Sequence, residues 1–187
     1  MIQVRPARVQ DVPAIHDLIA RAAERKLMVR RELRELYETI CELMVAVDDS
    51  GQVVGCSGLH VFGPDYAELK GVAVEETQRA RGVGRRLVAA AHDLAARLGV
   101  RTVFTLTQTP AFFEKCGYTV VDRAVLPRDI WSECVRCPFF PECRETALVI
   151  PIQVEPLQRN GAVGEDIPRA DLGEAVNGVA VHPASRG

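Results

Sequence analysis

No stretch of this sequence approaches the roughly 18 uninterrupted apolar residues of a membrane-spanning helix. The opening residues, MIQVRPARVQ, hold no apolar core of a secretory signal either. No membrane association is expected, and the expected location is the cytoplasm. No internal repeat is present, which sets aside solenoids and propellers. Nor is one sign of charge in excess: 23 Lys and Arg against 25 Asp and Glu leave a net charge of −2. That balance gives no bulk attraction to nucleic acid or to an anionic membrane. The six cysteines stand at 41, 56, 116, 134, 137 and 143. Without a secretory signal they read as reduced thiols or ligands rather than disulfides.

What is present is the profile of an ordinary globular protein. The chain has 187 residues, 48% hydrophobic and 26% charged, enough for one domain with a real core. After a short apolar start at Ile2 to Val4, Asp11 and Pro13 predict a helix N-cap with proline in the first turn. Val12, Ile15, Leu18, Ile19 and Ala22 keep the spacing of one buried helical face, and Leu33, Leu36, Tyr37 and Ile40 repeat it. Residues 43–47, the turn Asp48-Asp49-Ser50-Gly51 and residues 52–62 read as strand, turn and strand. Gly63-Pro64-Asp65 then turns the chain into a strand over 67–74, completing an antiparallel meander.

Residues 82–98 carry Val83, Leu87, Ala90, Ala91, Leu94 and Leu98 at helical spacing, ended by Gly99; residues 101–107 are rich in β-branched residues. Residues 110–116 suit a short helix ended by Gly117, with closing strands at 118–121 and 146–150. The fold class is α+β, a mixed sheet of six to seven strands flanked by helices. The folded domain is expected over 1–150, and the Gly- and Pro-rich remainder, 151–187, is expected to be a poorly ordered tail.

The strongest local signal is Val72-Ala73-Val74, a short linker, then Gln78-Arg79-Ala80-Arg81-Gly82-Val83-Gly84-Arg85-Arg86 running into an amphipathic helix. Glycines let backbone approach a phosphate, N–H groups converge at the helix start, and the helix dipole favours an anion. Arg79, Arg81 and Arg85 add charge-assisted donors. The bland alternative is a solvated basic helix start. The Gly-Lys-Ser/Thr ending of a P-loop and the full dinucleotide fingerprint are both missing, so ATP and NAD are poor candidates.

Arg79-x-x-Gly82-x-Gly84 after a strand resembles the acetyl-CoA loop of the GNAT family of N-acetyltransferases, and the resemblance covers residues 2–150. It implies a splayed mixed sheet with acetyl-CoA at the splay. Val72, Ala73 and Val74 would then face the pantetheine with backbone groups. The amides of Arg79, Ala80, Arg81, Gly82, Val83, Gly84 and Arg85 would hold the pyrophosphate, and no metal would be needed for transfer.

Other segments resemble the short N-acetylglutamate synthases of arginine biosynthesis that lack an amino-acid kinase domain, for which this chain has no room. They are Arg31-Glu32-Leu33-Arg34-Glu35-Leu36-Tyr37, Val54-Gly55-Cys56-Ser57-Gly58-Leu59-His60, Ala67-Glu68-Leu69-Lys70 and Thr107-Gln108-Thr109-Pro110-Ala111-Phe112-Phe113-Glu114-Lys115-Cys116-Gly117-Tyr118. The most distinctive is 126–147, with Leu126-Pro127, Ile130-Trp131 and Cys134-x-x-Cys137-Pro138-x-x-Pro141-x-Cys143-x-Glu145. Lys70 stands where that family usually carries Arg, and Asp129 where it usually carries Lys. Both positions are able to meet a carboxylate. Dimerisation rests on the resemblance alone.

An acceptor ammonium must lose a proton before it attacks a thioester, so a carboxylate beside the cofactor is a sensible base. Glu68 is the candidate, matching by resemblance the general base of histone-directed relatives; the alternative is an exposed glutamate on the rim. Many relatives carry a tyrosine as general acid on the helix after the fifth strand, where this chain has Phe112-Phe113, and no general acid is assigned. Arg31 and Lys70 are the candidates for an acceptor's carboxylates, with a solvated helix-start cation the alternative for Arg31. His60 reads as a satisfied strand residue.

Cys134-x-x-Cys137 with Cys143 resembles part of a zinc knuckle that lacks an evident fourth ligand; reduced thiols shaping a loop near the acceptor are the stronger reading. The function the resemblance implies is transfer of acetyl from acetyl-CoA to the α-amino group of L-glutamate, early in arginine biosynthesis, with an amino acid as the small-molecule partner. The alternatives are acetylation of a polyamine, peptide or other small amine, and a non-catalytic acetyl-CoA sensor or regulatory subunit.

Overall fold

The computed structural model describes residues 1–128 and 130–154. Most of the expected tail, from 155 on, and Asp129 lie outside the described residues. Turn chemistry builds the first half of the sheet. Asp48 Oδ1 accepts from Ser50 N, Ser50 Oγ and Gln52 N at 2.9, 2.6 and 3.0 Å, while Gly51 takes φ +80°. This turn joins β2 (Leu43–Val47) to β3 (Val53–Val61), and β4 (Tyr66–Val74) follows. With β1 (Gln3–Pro6), β5 (Thr102–Thr107), β6 (Thr119–Val121) and β7 (Thr146–Pro151), the sheet has the order β1-β2-β3-β4-β5-β7-β6. Every neighbouring pair is antiparallel except β4 with β5.

Two irregularities in β4 matter later. Against β3, Gly58 pairs with Lys70 but Cys56 pairs with Ala73, so β4 holds one residue more than its partner and bulges at Gly71, whose φ is +65°. Against β5, the parallel register runs Tyr66–Thr102, Ala67–Val103, Glu68–Phe104 and stops there. β4 continues to Val74 and β5 to Thr107 without pairing, so the sheet forks after Glu68.

Each face of the sheet is buried by a different set of helices. On one face, α3 (Val83–Leu98) lays Val88, Ala91 and Ala95 on Met44, Leu59, Ala67 and Leu69. On the other, α1 (Val12–Glu24) lays Val12, Ile15, Leu18 and Ile19 on Val45, Val47, Cys56 and Ala73, with Leu36 of α2 (Leu33–Glu38) beside them. Ile15 is fully buried, and burial of such a side chain contributes about 1.5–3 kcal/mol. Farther along this second face, Leu126 and Ile130, the latter on α5 (Ile130–Arg136), cover Phe104 and Ala147. A short α4 (Pro110–Glu114) precedes β6.

Several expectations change. Of Leu33, Leu36, Tyr37 and Ile40, only Leu36 is buried in α2, and Leu33 and Tyr37 are 42% and 40% exposed. Six residues make fewer than two turns, too few to present a continuous stripe, and Ile40 already lies in the following 3-10 turn. Asp11 occupies the N-cap of α1 but does not cap it. Its carboxylate turns back to Arg8 N at 2.7 Å and to Arg5 at 2.7 and 2.9 Å. The Arg5 hydrogen bonds hold the Asp11 carboxyl below the usual range. Helix α5 had no counterpart among the expected elements. No helix among the described residues is long and apolar enough to cross a membrane.

Candidate active site

The fork in the sheet is the natural place to begin, because it leaves backbone groups of β4 unclaimed. Glu75 N donates to Val54 O at 2.8 Å. Backbone direction alternates along a strand, so Val74, and Val72 two residues before it, aim their amides and carbonyls toward the open side. Ala73 between them faces β3, opposite Cys56. Next come the 3-10 turn Glu76–Gln78 and the loop into α3.

In that loop Ala80 (φ +61°) and Gly82 (φ +80°) both adopt left-handed backbone, and Gly82 is the N-cap of α3. Arg86 N bonds Gly82 O at 3.1 Å. The N–H groups of Val83, Gly84 and Arg85 belong to the helix's first turn, where no intrahelical acceptor exists. A Cβ on Gly82 would meet nothing within 4 Å, so that glycine serves conformation and an open approach. Gly84 is glycine for another reason: a Cβ there would lie 3.1 Å from Phe112 Cζ, which locks α3 to α4. The Val83 side chain is buried against Ala46, Val54 and Leu87, leaving only its backbone for an anion. Arg79, Arg81 and Arg85 are exposed around the loop. Arg86 donates to Ile2 O at 2.8 Å and so ties α3 to the N-terminal segment.

At the tip of the fork sits Glu68, 7% exposed and therefore not on the rim. Leu69 faces α3, so alternation turns Glu68 and Lys70 to the α1–α2 side. Lys70 Nζ lies 3.6 Å from Glu68 Oε2, and the two side chains are 24% and 10% exposed. His60 stands opposite Glu68 in register. Its Nδ1 is 2.8 Å from Glu42 Oε1, and its ring meets Phe62 edge-on at 4.8 Å. This is the satisfied strand histidine expected, though its position beside Glu68 was not.

Arg31 is not a solvated cation. Its side chain is 12% exposed, with Nε 2.8 Å from Glu35 Oε1 and Nη2 3.1 Å from Thr39 Oγ1. Its charge reaches Cys56, although burial dominates there and pushes that thiol up to about 12. Cys56 Sγ is 3.7 Å from O of Gly71, the bulge residue that follows Lys70. Much of the donor capacity of Arg31 is engaged by α2 and Thr39.

Across the fork stands the segment that the sequence marked as distinctive. Burial above all pushes the Cys134 thiol up; Arg123 opposes this, and Cys143, Cys137 and Glu68 reinforce it. Leu126 and Ile130 of this segment pack on Phe104, the register partner of Glu68. The cysteines do not converge on a metal: Cys143 Sγ accepts from Arg123 Nη2 at 3.0 Å. Among the described residues no group of three His, Cys, Asp or Glu side chains is arranged to hold one. At the expected general-acid position, Phe112 packs on Gly84 and Phe113 is buried against Tyr118. Tyr118 itself is 4% exposed, its hydroxyl 2.9 Å from His92 Nε2. Burial raises that hydroxyl's pKa and lowers that of His92.

Sequence reasoning passed over Arg123, Glu42 and the bulge. A lone glycine inside a strand pattern is a bulge signal, so Gly71 was findable; Arg123 and Glu42 acquire meaning only through tertiary contacts.

With this geometry in hand, comparison with known proteins is direct. The family described as acetyltransferase (GNAT) domain matches residues 39–120. An uncharacterized N-acetyltransferase of Chlorobaculum tepidum is 36% identical over 146 residues, 78% of this chain and 94% of the relative. An amino-acid acetyltransferase of Mycobacterium tuberculosis is 36% identical over 135 residues, 71% of this chain and 77% of that protein. Among solved structures, N-acetylglutamate synthase from Neisseria gonorrhoeae, complexed with coenzyme A and N-acetyl-glutamate, superimposes with a TM-score of 0.75 at 25% identity. The match covers 82% of this chain and 35% of that longer one.

Proposed function

Because the chain belongs to the GNAT family of acetyltransferases, with acetyl-CoA as acyl donor, we propose that its acceptor is an α-amino acid, L-glutamate. The protein would then act as an N-acetylglutamate synthase, early in arginine biosynthesis and in the cytoplasm. The observation that carries this reading is the pair at the fork: a buried carboxylate, Glu68, with the Lys70 cation 3.6 Å away. A base and an anion anchor side by side suit a substrate that carries an ammonium and a carboxylate on one carbon. The Mycobacterium relative is named an amino-acid acetyltransferase, and the Neisseria structure holds N-acetyl-glutamate; both support the choice.

In this reading Val72 and Val74 bond the pantetheine through their backbone, and Ala73 holds β4 in place between them. The pyrophosphate rests on the amides of residues 79–85, with Arg79, Arg81 and Arg85 neutralising its charge. Glu68 takes one proton from the acceptor ammonium. The freed amine attacks the thioester carbonyl and a C–N bond forms. The C–S bond then breaks, the nitrogen sheds its remaining extra proton, and coenzyme A leaves as thiol once its sulfur is protonated. Lys70, with Arg31 behind it, holds the acceptor's α-carboxylate.

The test is release of coenzyme A from acetyl-CoA with a panel of amino acids and amines. Turnover with glutamate is the expected result. Turnover with a polyamine alone would discard the amino-acid acceptor, and acetyl-CoA binding with silence across the panel would leave a sensor. Sedimentation of the same sample tests the homodimer that the family resemblance implies.

A further inference from the structure

Taking the first proton from an ammonium is only half of what its acylation requires. Once the free amine has attacked the thioester, its nitrogen is positively charged in the tetrahedral adduct. Until that nitrogen loses a proton, the new C–N bond can break as well as the C–S bond. Glu68, protonated by the first transfer, cannot take the second proton. A second proton acceptor beside it would commit the adduct to product.

One side chain stands in that place. His60 and Glu68 are directly opposite in the antiparallel pairing of β3 with β4, so their side chains share a face, with Cβ atoms about 4.5–5.5 Å apart. Lys70 is on the same face, two residues along β4. At one end of this face Cys56 and Ala73 pack under α1; at the other, Phe62 packs with Phe104 and Ile130. His60, Glu68 and Lys70 therefore make a polar floor between two apolar patches.

Glu42, the last residue of the 3-10 turn before β2, fixes the imidazole. Its Oε1 is 2.8 Å from His60 Nδ1. An ionised carboxylate only accepts, so Nδ1 carries a proton and, in the neutral ring, the lone pair lies on Nε2. Glu42 thus engages one ring nitrogen and leaves the basic one. It also offsets the charge that the ring gains on protonation. The side chains of His60 and Glu42 are 31% and 28% exposed, against 10% for Glu68, so a proton received there has a way out to solvent.

We infer that His60 is a second catalytic base of this site, its Nε2 taking the proton that the acceptor nitrogen still holds in excess after attack, with Glu42 as its positioning residue. Glu68 removes one proton from the ammonium, and the nitrogen lone pair forms the C–N bond as the carbonyl electron pair moves onto oxygen. Nε2 then removes the second proton. The carbonyl re-forms and the C–S electron pair leaves with sulfur. One of the two protons, from Glu68 or from the imidazolium, goes to the thiolate and the other to solvent, which returns both bases to their starting state. The inference rests on the amine-acetylation reading above, with Glu68 as first base, and not on glutamate as the acceptor.

The experiment measures the acetylated amine by rapid quench in a single turnover, with whichever acceptor the wild type uses, in His60→Gln, His60→Ala and Glu42→Gln. His60→Gln keeps a donor for Glu42 but has no basic nitrogen; it should slow the turnover about a hundredfold with both Michaelis constants little changed. Imidazole added to His60→Ala should restore part of the rate and leave the wild type as it was. Glu42→Gln, whose amide can donate to Nδ1 and reverse the tautomer, should slow turnover about tenfold or more.

A folded His60→Gln that works at the wild-type rate would overturn the inference, and so would a loss of rate matched by an equal rise in the acetyl-CoA KM, the mark of a distorted sheet. Should His60→Ala fail to fold, His60→Gln and Glu42→Gln decide. A wild type that acetylates another amine but not glutamate discards only the choice of acceptor, whereas silence with every amine removes the proposed function and this inference together.

Discussion

The two sides of the fork are built from different materials. On the proposed donor side, the parts offered to a ligand are backbone: the open edge of β4 at Val72 and Val74, two left-handed residues at 80 and 82, and the first amides of α3. On the proposed acceptor side they are side chains delivered by three separate places in the chain: Arg31 before α2, Glu68 and Lys70 on β4, and Cys134 on α5. A backbone site depends on conformation and tolerates many side chains, whereas a side-chain site is rewritten by single substitutions. A donor shared by a whole family suits the first kind of construction, and an acceptor that varies suits the second.

The largest break in this comparison is expected from Glu68→Gln. Removing the base should lower kcat by about 10²- to 10⁴-fold and flatten its acid limb, with acetyl-CoA affinity intact. Unchanged rate and pH dependence would mean that Glu68 is not the base. Next comes Lys70→Ala: loss of an anion partner costs about 2 kcal/mol, a rise in acceptor KM of roughly thirtyfold. Steady-state kinetics in both substrates would show whether that rise is confined to the acceptor.

Gly82→Val probes the donor side. A β-branched residue in left-handed backbone costs about 1–2 kcal/mol, so the acetyl-CoA KM should rise roughly tenfold while the acceptor KM holds. If either substitution moved both constants equally, the division of the fork would not stand.

The smallest effect sharpens the comparison from outside it. Arg5 and Asp11 touch neither side. Because the folded-state pKa of Asp11 is lowered, the pair's contribution is complete above the unfolded carboxyl value of about 3.9 and fades as pH falls through the lower folded value. Melting curves of wild type and Asp11→Asn should differ near neutrality and converge in acid, with both Michaelis constants unmoved.

The same division governs how much could be read in advance. Strands β2 to β5, helices α1 and α3 and the loop between β4 and α3 announce themselves through periodicity, glycine and local charge, all short-range properties. Glu68 and Lys70 stand out as candidates because they lie on the strand that leads into the loop. Helix α5 was not: seven residues with Trp131 and Cys134 among them give no sustained 3.6-residue pattern. Leu33 and Tyr37 misled in the opposite direction, since apolar spacing does not say whether a short helix finds something to cover it. Gly84 read as a phosphate glycine, and its tie to Phe112 could be seen only once α4 was placed.

The extra residue at Gly71 acts on β4 as a frameshift acts on a message. Before it, odd positions such as Leu69 face α3; after it, Ala73 faces α1, and Val72 and Val74 have changed sides to meet the α3 core. One strand thus speaks in two phases, with even-numbered positions polar upstream and apolar downstream. Deleting Gly71 would restore a single phase and drive either Lys70 into oil or the valines into water. The spacing between Glu68 and the loop is therefore fixed in parity, while the residues on either side of the frameshift remain free to vary independently.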